Sequence, residues 1–197
     1  MALGLRPDMQ VRTLADLVPV SEELAPEHLD DALHRHARNF SALLAPPASE
    51  FSADVTGGLV RASVALLVGT HDAVILHVPR TLDEVALAGL RMADEVLLVT
   101  TQDLFSLYGA KRTMWQLQLD ATSDRCRILI NRFGRGQPAP LDMDRVLGVR
   151  PWGAVRFDPA VRRAQDVGEL LPPRSRRAGR DVRGLAHRLV PLPRGGG

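Results

Sequence analysis

The chain has 197 residues, 45% of them hydrophobic, enough to bury a substantial core within one domain. It holds no run of 18 or more apolar residues and no basic segment leading into an apolar stretch, which argues against a membrane span or a secretory signal and sets a cytoplasmic location as the expectation. A net charge of +2 is too mild to mark the whole chain as a nucleic-acid binder. Lys111 is the only lysine, so the basic residues are almost all arginine, and the single cysteine, Cys126, has no partner for an intrachain disulfide.

In chain order, Leu3-Gly4-Leu5-Arg6-Pro7 has turn chemistry with no preceding element to connect, and an upstream segment is expected. A short helical turn follows at Thr13 to Val18. Pro26 opens a helix with acids in its first turn. Phe40 to Leu44 reads as a short apolar strand ending at Pro46-Pro47. Residues 59 to 69 carry helical spacing in Leu59, Val60, Val64, Leu67 and Val68. The most strand-like run is Ala73-Val74-Ile75-Leu76-His77-Val78-Pro79. A helix from Leu82 to Met92 leads to the apolar strand Glu95 to Thr101, a long helix spans Leu104 to Leu119, and Cys126 to Asn131 gives a third apolar strand. Cys126 itself reads as a buried small hydrophobe. Downstream come a short helix at Leu141 to Leu147, an edge-like strand at Trp152 to Arg156, and a helix at Pro159 to Val167 with Asp158 as its N-cap. Strands separated by helices of this length imply parallel pairing, so the predicted class is α/β, a doubly wound and mostly parallel sheet with flanking helices. One domain is expected over residues 1–173. From Arg174 onward seven arginines face the single acid Asp181, and residues 174–197 are expected to be an arginine-rich flexible tail carrying at most one helix, at Val182 to Leu189.

In open parallel sheets ligands bind at the carboxyl ends of the strands, so the informative residues end each apolar run. Three such ends are His77-Val78-Pro79-Arg80, Thr100-Thr101-Gln102-Asp103 and Asn131-Arg132-Phe133-Gly134. Hydroxyls at Thr100 and Thr101 can bond phosphate oxygens, or the segment can cap the following helix through Asp103. No histidine or cysteine lies at ligand spacing from His77, so no metal site is read there.

Together with Leu3 to Pro7, Thr13 to Leu17, Leu43 to Pro47, Leu82-Asp83-Glu84, Ala93 to Thr101 and Ile130-Asn131-Arg132, these ends resemble the MinD/ParA superfamily of P-loop ATPases. Within it they are most similar to the CpaE/TadZ branch associated with Flp-type pilus assembly and polar localisation. The resemblance covers roughly residues 1 to 173. It implies a P-loop NTPase-like fold, ATP and magnesium as the family's ligands, and a dimer sandwiching nucleotide, with roles in cell division or partitioning. It places His77 and Pro79 at the Walker B position, Thr100 and Thr101 in the phosphate-side loop, and Asn131 at the adenine base, with Arg132, Phe157 and Asp158 lining the site.

Two departures follow. The family has an aspartate at the Walker B position where this chain has His77, and an imidazole is a poor partner for magnesium, which prefers anionic oxygen. The pattern G-x-x-x-x-G-K-[ST] is absent, since Lys111 follows Ala110 and precedes Arg112. The chain is therefore expected to be an incomplete version of the fold, with weak or no ATP and magnesium binding, no catalytic residue and no hydrolysis. Because the family's P-loop strand lies inside the sheet, two unpaired strands and exposed apolar surface are expected, and with them self-association or a rearranged sheet. The competing readings are a localisation ATPase of the CpaE/TadZ kind, a noncatalytic interaction module that self-associates or pairs with an intact paralogue, and a partition factor that binds nucleic acid through residues 174–197. Few aromatic or large apolar residues interrupt the tail's arginines, so intrinsic membrane association is not expected.

Overall fold

The structure, a computed structural model, describes residues 11–46, 52–119, 122–134, 140–170 and 177–189. The described residues fall into two compact units, one within Asp8–Ala93 and one within Asp94–Gly197.

In the first unit a 3₁₀ helix at Leu14–Glu23 begins at Thr13, whose amide and hydroxyl donate to the Asp16 carboxylate at 2.7 and 2.9 Å. The amide bond, and then the hydroxyl bond, hold the Asp16 carboxyl below its usual range. Helix α1, Pro26–Ala32, starts with proline in its first turn, where the missing N–H costs nothing. A small antiparallel hairpin pairs β1, His34–His36, with β2, Phe40–Ala42, and turns through Asn39 at φ 61°. The sequence hides β1 because two histidines and an arginine show no apolar alternation. Helix α2, Gly57–Thr70, is capped by Thr56 Oγ1, which accepts from the Leu59 amide at 3.2 Å. Helix α3, Glu84–Met92, is capped by Asp83, which accepts from the Ala86 amide at 2.8 Å. The two helices approach closely at Gly57, where an added Cβ would stand 3.0 Å from that of Ala88. Leu17, Leu29, Ala32 and Leu59 form the buried centre of the unit.

The run 73–79 departs from its expected strand, since it belongs to no strand among the described residues. Burial along it nevertheless alternates. Val74, Leu76 and Val78 are half-buried while Ile75 and His77 are exposed, and Leu76 lies against Gly89 of α3. The alternating burial thus records a segment with one face on a helix. A strand also needs a neighbour to take its backbone hydrogen bonds, and no described strand pairs with this run.

The second unit is a three-stranded sheet of order β3-β4-β5, with β3 at Val96–Thr100, β4 at Cys126–Phe133 and β5 at Gly153–Arg156, parallel throughout. Helix α4, Leu104–Leu119, and helix α5, Pro140–Leu147, cover one face, with Leu107 and Ala110 meeting Ile128, Ile130, Met143 and Leu147. Cys126 is a free, half-buried thiol, and burial pushes its pKa up. Helix α6, Pro159–Asp166, follows β5. The arginine-rich stretch expected as a flexible tail contains helix α7 over Ala178–Leu189, four residues longer at its start than the sequence suggests. Its Leu185 presses on Gly153 so closely that a Cβ there would lie 2.6 Å from Leu185 Cδ2. Arg156 forms a two-pronged ion pair with Asp181 at 2.9 and 2.8 Å, and the Arg188 guanidinium lies 3.9 Å above the Trp152 ring. These contacts order residues that composition alone marks as a solvated end. The expected fold, an α/β arrangement with a parallel sheet flanked by helices, is the one observed.

Asp158 joins two helices of this unit, accepting from the Ala160 amide at 2.9 Å as the cap of α6 and from the Ala178 amide at 3.3 Å at the start of α7. Asp158→Ala removes both acceptors, and the expected loss of about 1–2 kcal/mol should appear as a lower urea midpoint at unchanged slope.

Candidate functional site

The carboxyl ends of β3, β4 and β5 are tied to one another by backbone and side-chain bonds. Gln102, 1% exposed at the end of β3, accepts through Oε1 from the Gly134 amide beyond β4 at 2.8 Å. Phe157, just beyond β5, donates its amide to the Phe133 carbonyl at 2.8 Å. Between these ties the central strand bulges. Ile130 faces Ala154 and Phe133 faces Arg156, so Asn131 and Arg132 together oppose the single residue Val155. Arg132 takes φ 56°, a left-handed conformation costing on the order of 1–3 kcal/mol for a non-glycine residue, and the Asn131 Oδ1 accepts its amide at 2.9 Å. A bulge at this end of the sheet re-aims side chains that a regular strand would alternate between its two faces.

Asn131 is half-buried and Arg132 exposed, both in the bulge, while Phe157 is exposed and belongs to the same three-strand edge. Asp158 stands there too, but as the double helix cap described above. Thr100 is buried and bonds locally to the Thr101 carbonyl at 3.5 Å. Thr101 donates its hydroxyl to Asp103 Oδ2, while Asp103 Oδ1 accepts from the Ser106 amide at 2.9 Å in the first turn of α4. Of the two readings of this loop, the capping one describes the bonds observed. His77 and Pro79 belong to the other unit, where both are exposed in the run without strand pairing. Gln102 is the residue that sequence reasoning misses. Nothing in Thr-Thr-Gln-Asp separates a buried brace from a polar turn, and no signal marks the left-handed Arg132.

The carboxylates of this edge are engaged by backbone amides and, at Asp103, by the Thr101 hydroxyl. The Thr101 hydroxyl and then the Ser106 amide lower the Asp103 pKa to about 2. Among the described residues no group of three or more His, Cys, Asp or Glu could hold a metal ion. What the edge offers a ligand is the amide of Asn131, able to meet both a donor and an acceptor, the exposed ring of Phe157 and the cation of Arg132.

No family model matches the chain. It is 29% identical over 153 residues to the chloroplastic septum site-determining protein MinD homologue of Arabidopsis thaliana, a match covering 71% of this chain and 47% of that protein. It thus spans about half the length of the curated relative it matches. It superposes on the ParA family ATPase of Chlorobium tepidum TLS with a TM-score of 0.84 at 20% identity, over 95% of this chain and 79% of that one. The fold is that of the MinD/ParA ATPases. The same holds against the MinD complexed with Mg-ADP from Pyrococcus horikoshii OT3, at TM-score 0.74 and 20% identity over 95% and 76% of the two chains. On this MinD/ParA fold the sequence-predicted set divides, with Asn131, Arg132 and Phe157 on the β3-β4-β5 edge, and Thr100, Thr101 and Asp158 bonded into the scaffold there.

Asp103 titrates lower in the folded chain than its ordinary 3.8, so its stabilising effect is complete above about pH 4 and fades as pH falls toward 2. Asp103→Asn should therefore melt below the parent at pH 7, and the gap between the two melting temperatures should close across pH 4 to 2, as followed by circular dichroism. A gap that stays constant over that range would remove the capping account.

Proposed function

We propose that this chain acts as a MinD/ParA-like positioning protein of the CpaE/TadZ kind, working through protein partners rather than by hydrolysing ATP itself. One observation supports the reading above the others. Both aspartates at the β3-β4-β5 edge, Asp103 and Asp158, have oxygens bonded in helix caps, and the resemblance puts His77, not an aspartate, at the family's metal position. Magnesium takes anionic oxygens in near-octahedral geometry, and the nucleotide's phosphates take lysine and loop amides. The only lysine, Lys111, stands exposed on α4. The described residues do not fit the metal and phosphate half of Mg-ATP. The adenine half is different, because Asn131 keeps the residue type and the strand-end place that suit a base edge.

Self-association, or pairing with an intact paralogue, follows from the same reading. It is favoured over DNA partitioning through the tail, because Arg188 lies on Trp152 and donates to its carbonyl at 3.0 Å. No helix among the described residues is long and apolar enough to cross a membrane. A role in pilus assembly, in division or in partitioning would then be set by the partner.

Calorimetric titration of ATP with magnesium into this chain and into His77→Asp is expected to show no binding by either, and phosphate release should stay at the buffer rate. Saturable heat from the parent chain that disappears in Asn131→Ala would overturn the proposal and make the strand-end edge a working nucleotide site.

A further inference from the structure

Helix α4 has two apolar stripes with the same spacing. Leu107, Ala110, Met114 and Leu117 face inward and pack on the sheet and α5 or lie buried beside them. Two residues earlier, on the order of 200° around the axis, the same i, i+3, i+7, i+10 pattern gives Phe105, Tyr108, Arg112 and Trp115. Phe105 is 90% exposed, Tyr108 and Trp115 each 60%, and the adjoining Leu104 52%. An aromatic side chain buries roughly 150–250 Å² when covered, so the stripe is of the size of the largest functional patches on ordinary monomers. The chain is only 4% aromatic, and its one tyrosine and one of its two tryptophans stand here. Core packing does not account for them, because the inward stripe already supplies the contacts that the sheet requires.

Charge narrows the occupant. Between Leu104 and Leu119 the helix contains no acid, and exposed Lys111 and Arg112 stand between the aromatic residues. Neither cation forms an ion pair among the described residues. A second copy laid antiparallel on this face would oppose cation to cation at the centre of the stripe, which disfavours self-pairing. An anionic segment with an apolar seam satisfies both features, and a stripe running from Phe105 to Trp115, about 15 Å along a straight helix, matches about three turns of a partner helix.

We infer that the outward face of α4 is a docking surface for an acidic amphipathic helix of a partner protein, anchored by Phe105, Tyr108 and Trp115 and steered by Lys111 and Arg112. This deepens the partner-dependent reading of function and rests on it for biological meaning. Its physical test is separate, since peptide docking on α4 requires nothing of ATP binding.

The test uses the full chain and two labelled synthetic helical peptides of about four turns, alike in their leucine seam but flanked by glutamate in one and lysine in the other, read by fluorescence anisotropy. The glutamate peptide should bind about tenfold or more tightly than the lysine peptide. Phe105→Ala and Trp115→Ala should each weaken it by about tenfold, in line with aromatic anchors elsewhere, without changing the melting temperature, since both side chains are exposed. Lys111→Glu with Arg112→Glu should invert the preference between the peptides. Equal binding of the two peptides, or binding indifferent to these substitutions, would overturn the proposal. So would absent peptide binding accompanied by Phe105-dependent sedimentation with phosphatidylglycerol vesicles, which would assign the face to lipid. A Phe105-dependent dimer in analytical ultracentrifugation without peptide binding would assign it to a second copy. Failure here leaves the calorimetric result on ATP standing, and the reverse is equally true.

Discussion

A strand in a parallel sheet must satisfy four neighbours at once, a hydrogen-bonded partner on each side and apolar cover on each face, and β4 is where this chain meets all four. Its backbone pairs with β3 and β5. Ile128 and Ile130 point into the layer formed by α4 and α5, while Leu129, on the opposite face, is covered where α7 brings Leu185 across Gly153. Much else in the second unit follows from that arrangement. Position 153 accepts nothing larger than glycine without displacing Leu185, and α7 is held in place by Asp181 and Arg188 in a stretch whose composition suggests a solvated end.

The same requirement explains what could be read from the sequence. The runs 96–100 and 126–133 are apolar and become strands, with the intervening helix at its expected limits, Leu104 and Leu119. The run 73–79 is as apolar as either, yet it forms no strand among the described residues. Apolar character reports that a segment can be covered, and here Leu76 lies against Gly89 of α3 while Ile75 is exposed. It says nothing of whether a neighbouring backbone is available, and a ladder depends on residues distant in sequence. Helix caps were legible for the opposite reason. Asp103 and Asp158 cap their helices through amides within three residues of themselves, although Asp158 also reaches Ala178.

The strand-end edge shows the limit of residue identity as a guide. Asn131 stands out in sequence because its amide suits a base and its position ends an apolar run. The feature that places it is the bulge, and the bulge depends on Arg132 adopting a backbone conformation that nothing about arginine favours. Gln102 is buried by its bond to Gly134, 32 residues away. A site assembled from three strand ends is defined by such long-range ties, and local patterns carry no information about them. Conversely, Thr101 and Asp103 fall where phosphate contacts would be read, but their bonds are short-range and local.

The roles of α4 are separable because its two stripes lie on opposite sides of one rigid helix. Substitutions at Leu107 or Leu117 act on the core, and their cost appears as lost stability from a cavity. Substitutions at Phe105 or Trp115 remove surface that the fold does not use, so a change in association without a change in stability has a single physical origin. A helix that merely carried scattered surface hydrophobics would place them at irregular angles. Here Phe105, Tyr108 and Trp115 repeat the spacing of the buried stripe, with cations in the intervals and no acid in the helix, and that regularity gives the outward face the form of an interface.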